Sequence, residues 1–238
     1  LASRVNIVVI PGIRDSAVTD YVTDLVENYG KAIYVIDVPS YDGDNNRLYN
    51  DSTTRPDVPK TIENFDSRAL DTNYAAAYFP DVSIDDPINN RAVETPASVA
   101  VLGALSFSDS VSYPWFAPAG FNRASLDFVV NTRSRLNADD RDSLYESRIN
   151  PIATFPNAGF VIFGQKTLQQ AQTALDRVNV RRMLLEVKRL VSDIANKIVF
   201  HQNTPETRAR FVTQVTPLLS LIQTQQGIDQ FSIVMDES

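Results

Sequence analysis

The stretch 5-VNIVVIPGIRDSAVTDYVTDLVENYGKAIYVIDVP-39 sets two short apolar runs around one helical pattern. Val5–Ile10 is a β-branched run closed by Pro11-Gly12, which reads as a buried strand entering a turn. Asp15 or Ser16 can cap a helix reaching Tyr29, with Val18, Val22, Leu25 and Val26 at helical spacing and Gly30 as its stop. Ala32–Val38 is a second buried strand, ended by Pro39. Strand, helix and strand within so few residues predict a βαβ unit with parallel neighbouring strands and a right-handed crossover.

Working outward, residues 39–72 are polar, rich in turn formers and aperiodic, and read as a long loop or a small excursion. Asn73–Phe79 is a third strand stopped by Pro80, and residues 84–94 read as loop. Thr95-Pro96 opens a helix in the favoured way, a capping residue followed by proline in the first turn. Residues 111–124 read as irregular, Ala138–Ser147 as a short helix and Gly159–Phe163 as a strand. Further helices are expected over Thr167–Asp176, Val180–Phe200 and Thr204–Gln226, the last with a kink or break at Pro217, and a final strand over Phe231–Met235. The fold class expected is α/β: a mixed central sheet flanked by helices on both faces, with a loop-rich excursion at 39–72, all in one core domain over 1–238.

With 238 residues and 43% apolar content, the chain can bury a substantial core. It has no run of about 18 apolar residues, so no membrane span is expected. The start, LASRVNIVVIPG, lacks both an initiator Met and the features of a signal peptide, and the chain is expected to be a fragment of something longer. The absence of cysteine removes disulfides, thiolate metal sites and cysteine nucleophiles, and agrees with synthesis in a reducing cytoplasm. A net charge of −7 disfavours general nucleic-acid binding. The charge is uneven: residues 15–94 hold 16 acids and 6 bases, whereas 123–210 hold 14 bases and 9 acids. Two readings stand, solvated faces of one subunit or complementary patches on neighbouring subunits.

The search for chemistry is largely negative. His201 is the single histidine and lies at an expected helix end, where a cation complements the helix dipole. Counted from Asp42, 42-DGDNN-46 would need Gly sixth and Glu twelfth to be a calcium loop, and those positions are Arg47 and Thr53. No phosphate-binding glycine loop or nucleophile elbow occurs, and nothing opposes Asp85-Asp86 or Asp139-Asp140 as a second catalytic group. No catalytic residue, cofactor or metal is expected. The bases Arg181, Arg182, Lys188 and Arg189 populate the polar side of the 180–200 helix, and are expected either to be solvated or to meet an acidic surface on a partner.

Several blocks, in order, resemble the tail sheath proteins of contractile phages. They are 73-NYAAAYFP-80; 94-ETPASVAVLGALSFSDSVSYPWFAPAG-120, with Trp115, Ala117, Pro118 and Ala119; 150-NPIATFPNAGFVIFGQKTL-168; and 178-VNVRRMLLEV-187. The chain departs from the family pattern at Ala97-Ser98, where Ser-Gly is usual, and at Leu175-Asp176-Arg177, where Trp is frequent. The resemblance implies a virion structural protein, made in the host cytoplasm, that polymerises helically around the tail tube. Hexameric rings would stack through terminal arms, which this chain is expected to lack. The tube and baseplate would be its partners, with no direct nucleic-acid contact and no membrane insertion. Contraction would be a rigid-body rearrangement of subunits that drives the tube through the host envelope. On this reading the prolines and glycines of 149–168 shape a stiff backbone path.

Overall fold

The computed structural model describes residues 5–49 and 52–235, so residues 50 and 51 of the 39–72 excursion lie outside the described set. These fall into two compact units, 1–182 and 183–238. The first opens with strand β1 (Ile7–Val9), helix α1 (Ser16–Tyr29) and strand β2 (Ile33–Asp37). Asp15 caps α1 by accepting from the Ala17 and Val18 amides, and Gly30 ends it in the left-handed region at φ 62°. β1 and β2 pair in parallel, Ile7 against Ile33, as the sequence predicts.

The excursion that follows is a small ribbon, β3 (Ser40–Tyr41) against β4 (Arg47–Leu48), and a helix, α2 (Val58–Asp66). Asp57 caps α2 by accepting from the Lys60 amide. Strand β5 (Ala75–Phe79) joins β2 in parallel. Next, β6 (Val82–Asp86) and β7 (Arg91–Thr95) form a hairpin where loop was expected, because the hairpin's outer residues are polar and give no apolar run. Helix α3 (Ala97–Val111), strand β8 (Val129–Thr132) and helix α4 (Ala138–Glu146) follow, with β8 completing a three-stranded sheet in the order β7-β6-β8.

Strand β9 (Ile149–Phe155) lies inside the main sheet although it contains Pro151, which the sequence presents as a turn residue. It pairs parallel to β5, and β10 (Gly159–Ile162) returns antiparallel to it. The main sheet is therefore mixed, in the order β1-β2-β5-β9-β10. The β10 edge is covered by 120–126: Gly120 N–H donates to Ile162 O, Leu126 N–H to Phe160 O and Ile162 N–H to Ala124 O.

One core cluster joins Tyr34, Ile36, Ala75, Ala77 and Phe79 of the sheet to Val26 of α1, Val58 and Phe65 of α2, and Leu144 of α4. The alternate strand residues Ile33, Val35, Ala76 and Tyr78 are buried too, and α3 packs against β1, β2 and β5. Burial on both faces explains why these strands read as continuous apolar runs. The α/β class with a mixed sheet is the observed one.

Residues 167–176 do not form the expected helix; Ala174–Asp176 is a single 3-10 turn. The segment instead closes on itself: Thr167 N–H donates to Asp176 O, and Val178 N–H to Gln165 O. Helix α5 (Val178–Ala195) begins in the first unit, continues into the second and stops short of Phe200. Helix α6 (Pro205–Thr224) is capped by Thr204 and remains continuous through Pro217, with Val215, Leu219 and Ile222 buried on one stripe. Residues 231–235 do not form the expected strand.

The glycines of the 149–168 segment have distinct causes. Gly159 has φ +65° at the turn into β10. At Gly164 an added Cβ would lie 2.9 Å from Asn150 Oδ1, 3.0 Å from Pro151 Cδ and 3.2 Å from Asn150 Cα. Asn150 holds this crossing together: its Nδ2 donates to Ala77 O at 3.1 Å and Lys166 O at 2.8 Å, and its Oδ1 accepts from Lys166 N–H at 2.6 Å. Gly164→Ala is expected to destabilise the chain by about 1–3 kcal/mol through overpacking against backbone. Urea unfolding would read this as a lowered midpoint with an unchanged slope.

Candidate functional site

In open α/β sheets the C-terminal ends of the parallel strands are the usual place for chemistry. Here that end carries two acids, Asp37 at the close of β2 and Asp81 just after β5, both beside the N-terminus of α3. They are 2% and 6% exposed. Asp37 Oδ2 accepts from Gly12 N–H at 2.9 Å and from the Ser98 hydroxyl at 2.7 Å, while its Oδ1 accepts from Ser98 N–H at 2.7 Å. Asp81 takes the Arg14 guanidinium on both oxygens, at 2.7 and 2.6 Å, and the Ala97 amide at 3.3 Å. Burial pushes the Asp81 carboxyl above the ordinary range, opposed by the Arg14 charge and reinforced by that of Asp37.

This arrangement follows from Pro96. It occupies the cap position of α3 and offers no side-chain hydrogen bond, so Thr95 does not cap the helix as expected. The first amides of α3 would be buried without acceptors. Asp37 and Asp81 supply those acceptors, and the positive end of the helix dipole favours their charge. Gly12, at φ +77°, turns its amide toward Asp37. The β1–α1 turn, β2, the segment after β5 and α3 are thereby fixed to one another. Each of the four carboxylate oxygens accepts from a group of the chain itself, so the cluster acts as a clasp.

A second cluster gathers residues far apart in sequence. Arg182, 5% exposed, donates to Asp109 of α3 at 2.5 Å. Arg181, 8% exposed, donates to Asn73 Oδ1 and stacks over the Tyr74 ring, 4.1 Å from its centroid. Asn179 Nδ2 donates to Trp115 O at 3.0 Å. The Asn-Tyr, Trp and Val-Asn-Val-Arg-Arg blocks thus meet at the start of α5.

This corrects the expected basic face of that helix. Arg181 and Arg182 face inward and are engaged within the chain, because Asn73 and Tyr74, just before β5, supply an amide oxygen and an aromatic face, and Asp109 of α3 supplies a carboxylate. Arg189 is half-buried and pairs with Glu186 three residues back, and Lys188 is exposed. No surface is formed by the four together. His201 is exposed in the turn after α5, and Asp42 organises its own loop by accepting from the Asp44 and Asn46 amides. Among the described residues no group of three or more His, Cys, Asp or Glu is placed to hold a metal ion.

Known proteins resemble this chain in a consistent way. No family model matches it. The tail sheath protein of Vibrio phage KVP40 is 36% identical over 169 residues, covering 71% of this chain and 24% of that protein. The tail sheath protein of Enterobacteria phage T4 is 29% identical over 168 residues, with the same 71% and 24% coverage. The chain spans about a quarter of the length of these curated relatives. The contracted sheath complex of the PVC extracellular contractile injection system superposes with a TM-score of 0.73 at 21% identity, covering 96% of this chain and 58% of that one, a likeness of fold.

Asp37→Ala would leave the buried Ser98 amide and the part-buried Gly12 amide without an acceptor and is expected to cost about 3 kcal/mol, and Asp37→Asn, which keeps one acceptor oxygen, roughly half as much. Chemical unfolding of the two variants beside the native chain would measure both.

Proposed function

We propose that the chain belongs to the tail sheath family and serves as a structural subunit of a contractile tail, polymerising helically around a tail tube and moving as a rigid body on contraction. The observation that carries this reading is the 36% identity to a phage tail sheath protein, running through 71% of the chain. The geometry described above supports it. Buried charged groups at the strand ends and at the start of α5 are engaged in tying elements together, which suits a body that transmits force without deforming.

Contraction on this reading replaces one set of contacts between subunits by another and leaves each subunit's interior unchanged. Neither a nucleotide nor a metal is required, because assembly itself stores the free energy. A tail tube inside the sheath and a baseplate that releases it are the partners this function requires, and the virion tail is its location. Of the four α5 bases expected at an interface, Lys188 and Arg189 are those that a neighbour's acidic surface could reach.

Negative-stain electron microscopy of the chain, expressed with all the sequence its gene encodes on either side, tests the proposal. Tubes or stacked rings are expected. Persistence as a monomer at high protein and salt concentration would remove it.

A further inference from the structure

Helix α3 has no charged residue before Asp109 and carries apolar groups on all sides. Ala97, Ala100, Val101, Ala104 and Leu105 are buried, while Val99, Leu102 and Phe107 are exposed. A helix that is apolar all round belongs in an interior. Beside its exposed side runs a groove of about 500 Å³ lined by Gly103, Phe107, Phe121 and Phe128 together with the polar Asn122, Ser125 and Asp127. Gly103 lets the Phe128 ring close onto the helix, since a Cβ there would sit 3.3 Å from Phe128 Cζ. Three half-exposed phenylalanines around one concavity are unusual for a solvated surface.

The turn between α5 and α6 has the complementary character. Phe200 is 98% exposed and Val199 63%. Lys197 and His201, both exposed, flank this apolar pair. A phenylalanine ring held in water at a turn is a ready anchor for a pocket in another molecule.

We propose that the groove beside α3 on one copy receives the Val199-Phe200 turn of a second copy of this chain. The groove is large enough for both side chains and offers aromatic walls to an aromatic ring. Lys197 is opposite in charge to Asp127, which fixes the direction of entry. Knob and groove are different surfaces, so each copy can give its turn to one neighbour and receive another's, and a contact repeated in that way propagates into a ring or a helix. The inference rests on the sheath reading, which supplies the second copy.

These 238 residues contain no cysteine, and with any cysteine of the flanking sequence replaced by serine a disulfide reports the contact directly. A chain carrying only Asp127→Cys is mixed with one carrying only Lys197→Cys, assembled in the sequence context used for microscopy, and mildly oxidised. The mixture is expected to give about ten-fold more covalent dimer than either variant alone, because docking raises the local thiol concentration. Adding Phe200→Asp to the second chain should abolish the excess. Asn122→Cys with His201→Cys is an independent pair, should the first disturb folding. Tubes without excess dimer from either pair would overturn the docking and leave the sheath reading standing. Neither tubes nor dimer would overturn both. Excess dimer without tubes would support the docking and remove the sheath reading. An excess that survives Phe200→Asp would overturn the docking.

Discussion

The first unit depends on how the N-terminus of α3 is satisfied. A helix that starts at a proline and is packed onto a sheet has buried amides with no local acceptor. Two carboxylates from strand ends take that role, and each is itself stabilised by the donors it binds. Burying a charge is costly unless it is paired and hydrogen-bonded. Here Asp81 has a guanidinium, and Asp37 has two amides and a hydroxyl. Removing any one partner would leave another group uncompensated, so the β1–α1 turn, β2, the end of β5 and α3 are coupled.

The same logic recurs at the start of α5. Arg181 and Arg182 tie that helix to the segment just before β5 and to α3 through groups 108 and 73 residues away in sequence. Asn150 ties β5, β9 and the 164–167 crossing through its amide. These groups bind one another, although Asp109 Oδ1, Asn179 Oδ1 and Arg182 Nη1 are buried without a hydrogen-bond partner. Exposed apolar groups occur at the groove beside α3 and at the Phe200 turn.

The βαβ start was legible because strands buried on both faces read as unbroken apolar runs, and because Asp15 and Gly30 mark the ends of α1. The β6–β7 hairpin was not, since its strands carry exposed polar residues and its turn, Asp86 to Asn90, lacks glycine. β9 was hidden by Pro151, which local rules place in a turn or an edge but which sits beside Phe79 in a parallel ladder. Asp37 had one faint signal, an acid inside the apolar run AIYVIDV. Arg181 and Arg182 had none, because a charge on an amphipathic helix normally faces water, and only the distant Asn73, Tyr74 and Asp109 turn these two inward. The blocks that resemble tail sheath proteins gave no sign that three of them meet at one place.

The central claim is that the carboxylate clasp makes the first unit one rigid body. Native-state hydrogen exchange at the amides of Gly12, Ala97 and Ser98 tests it most directly. The account predicts that these amides exchange only through global unfolding, at the free energy measured for β2 and β5. Exchange more than about ten-fold faster than in those strands would mean that the helix start opens on its own, and would contradict the claim.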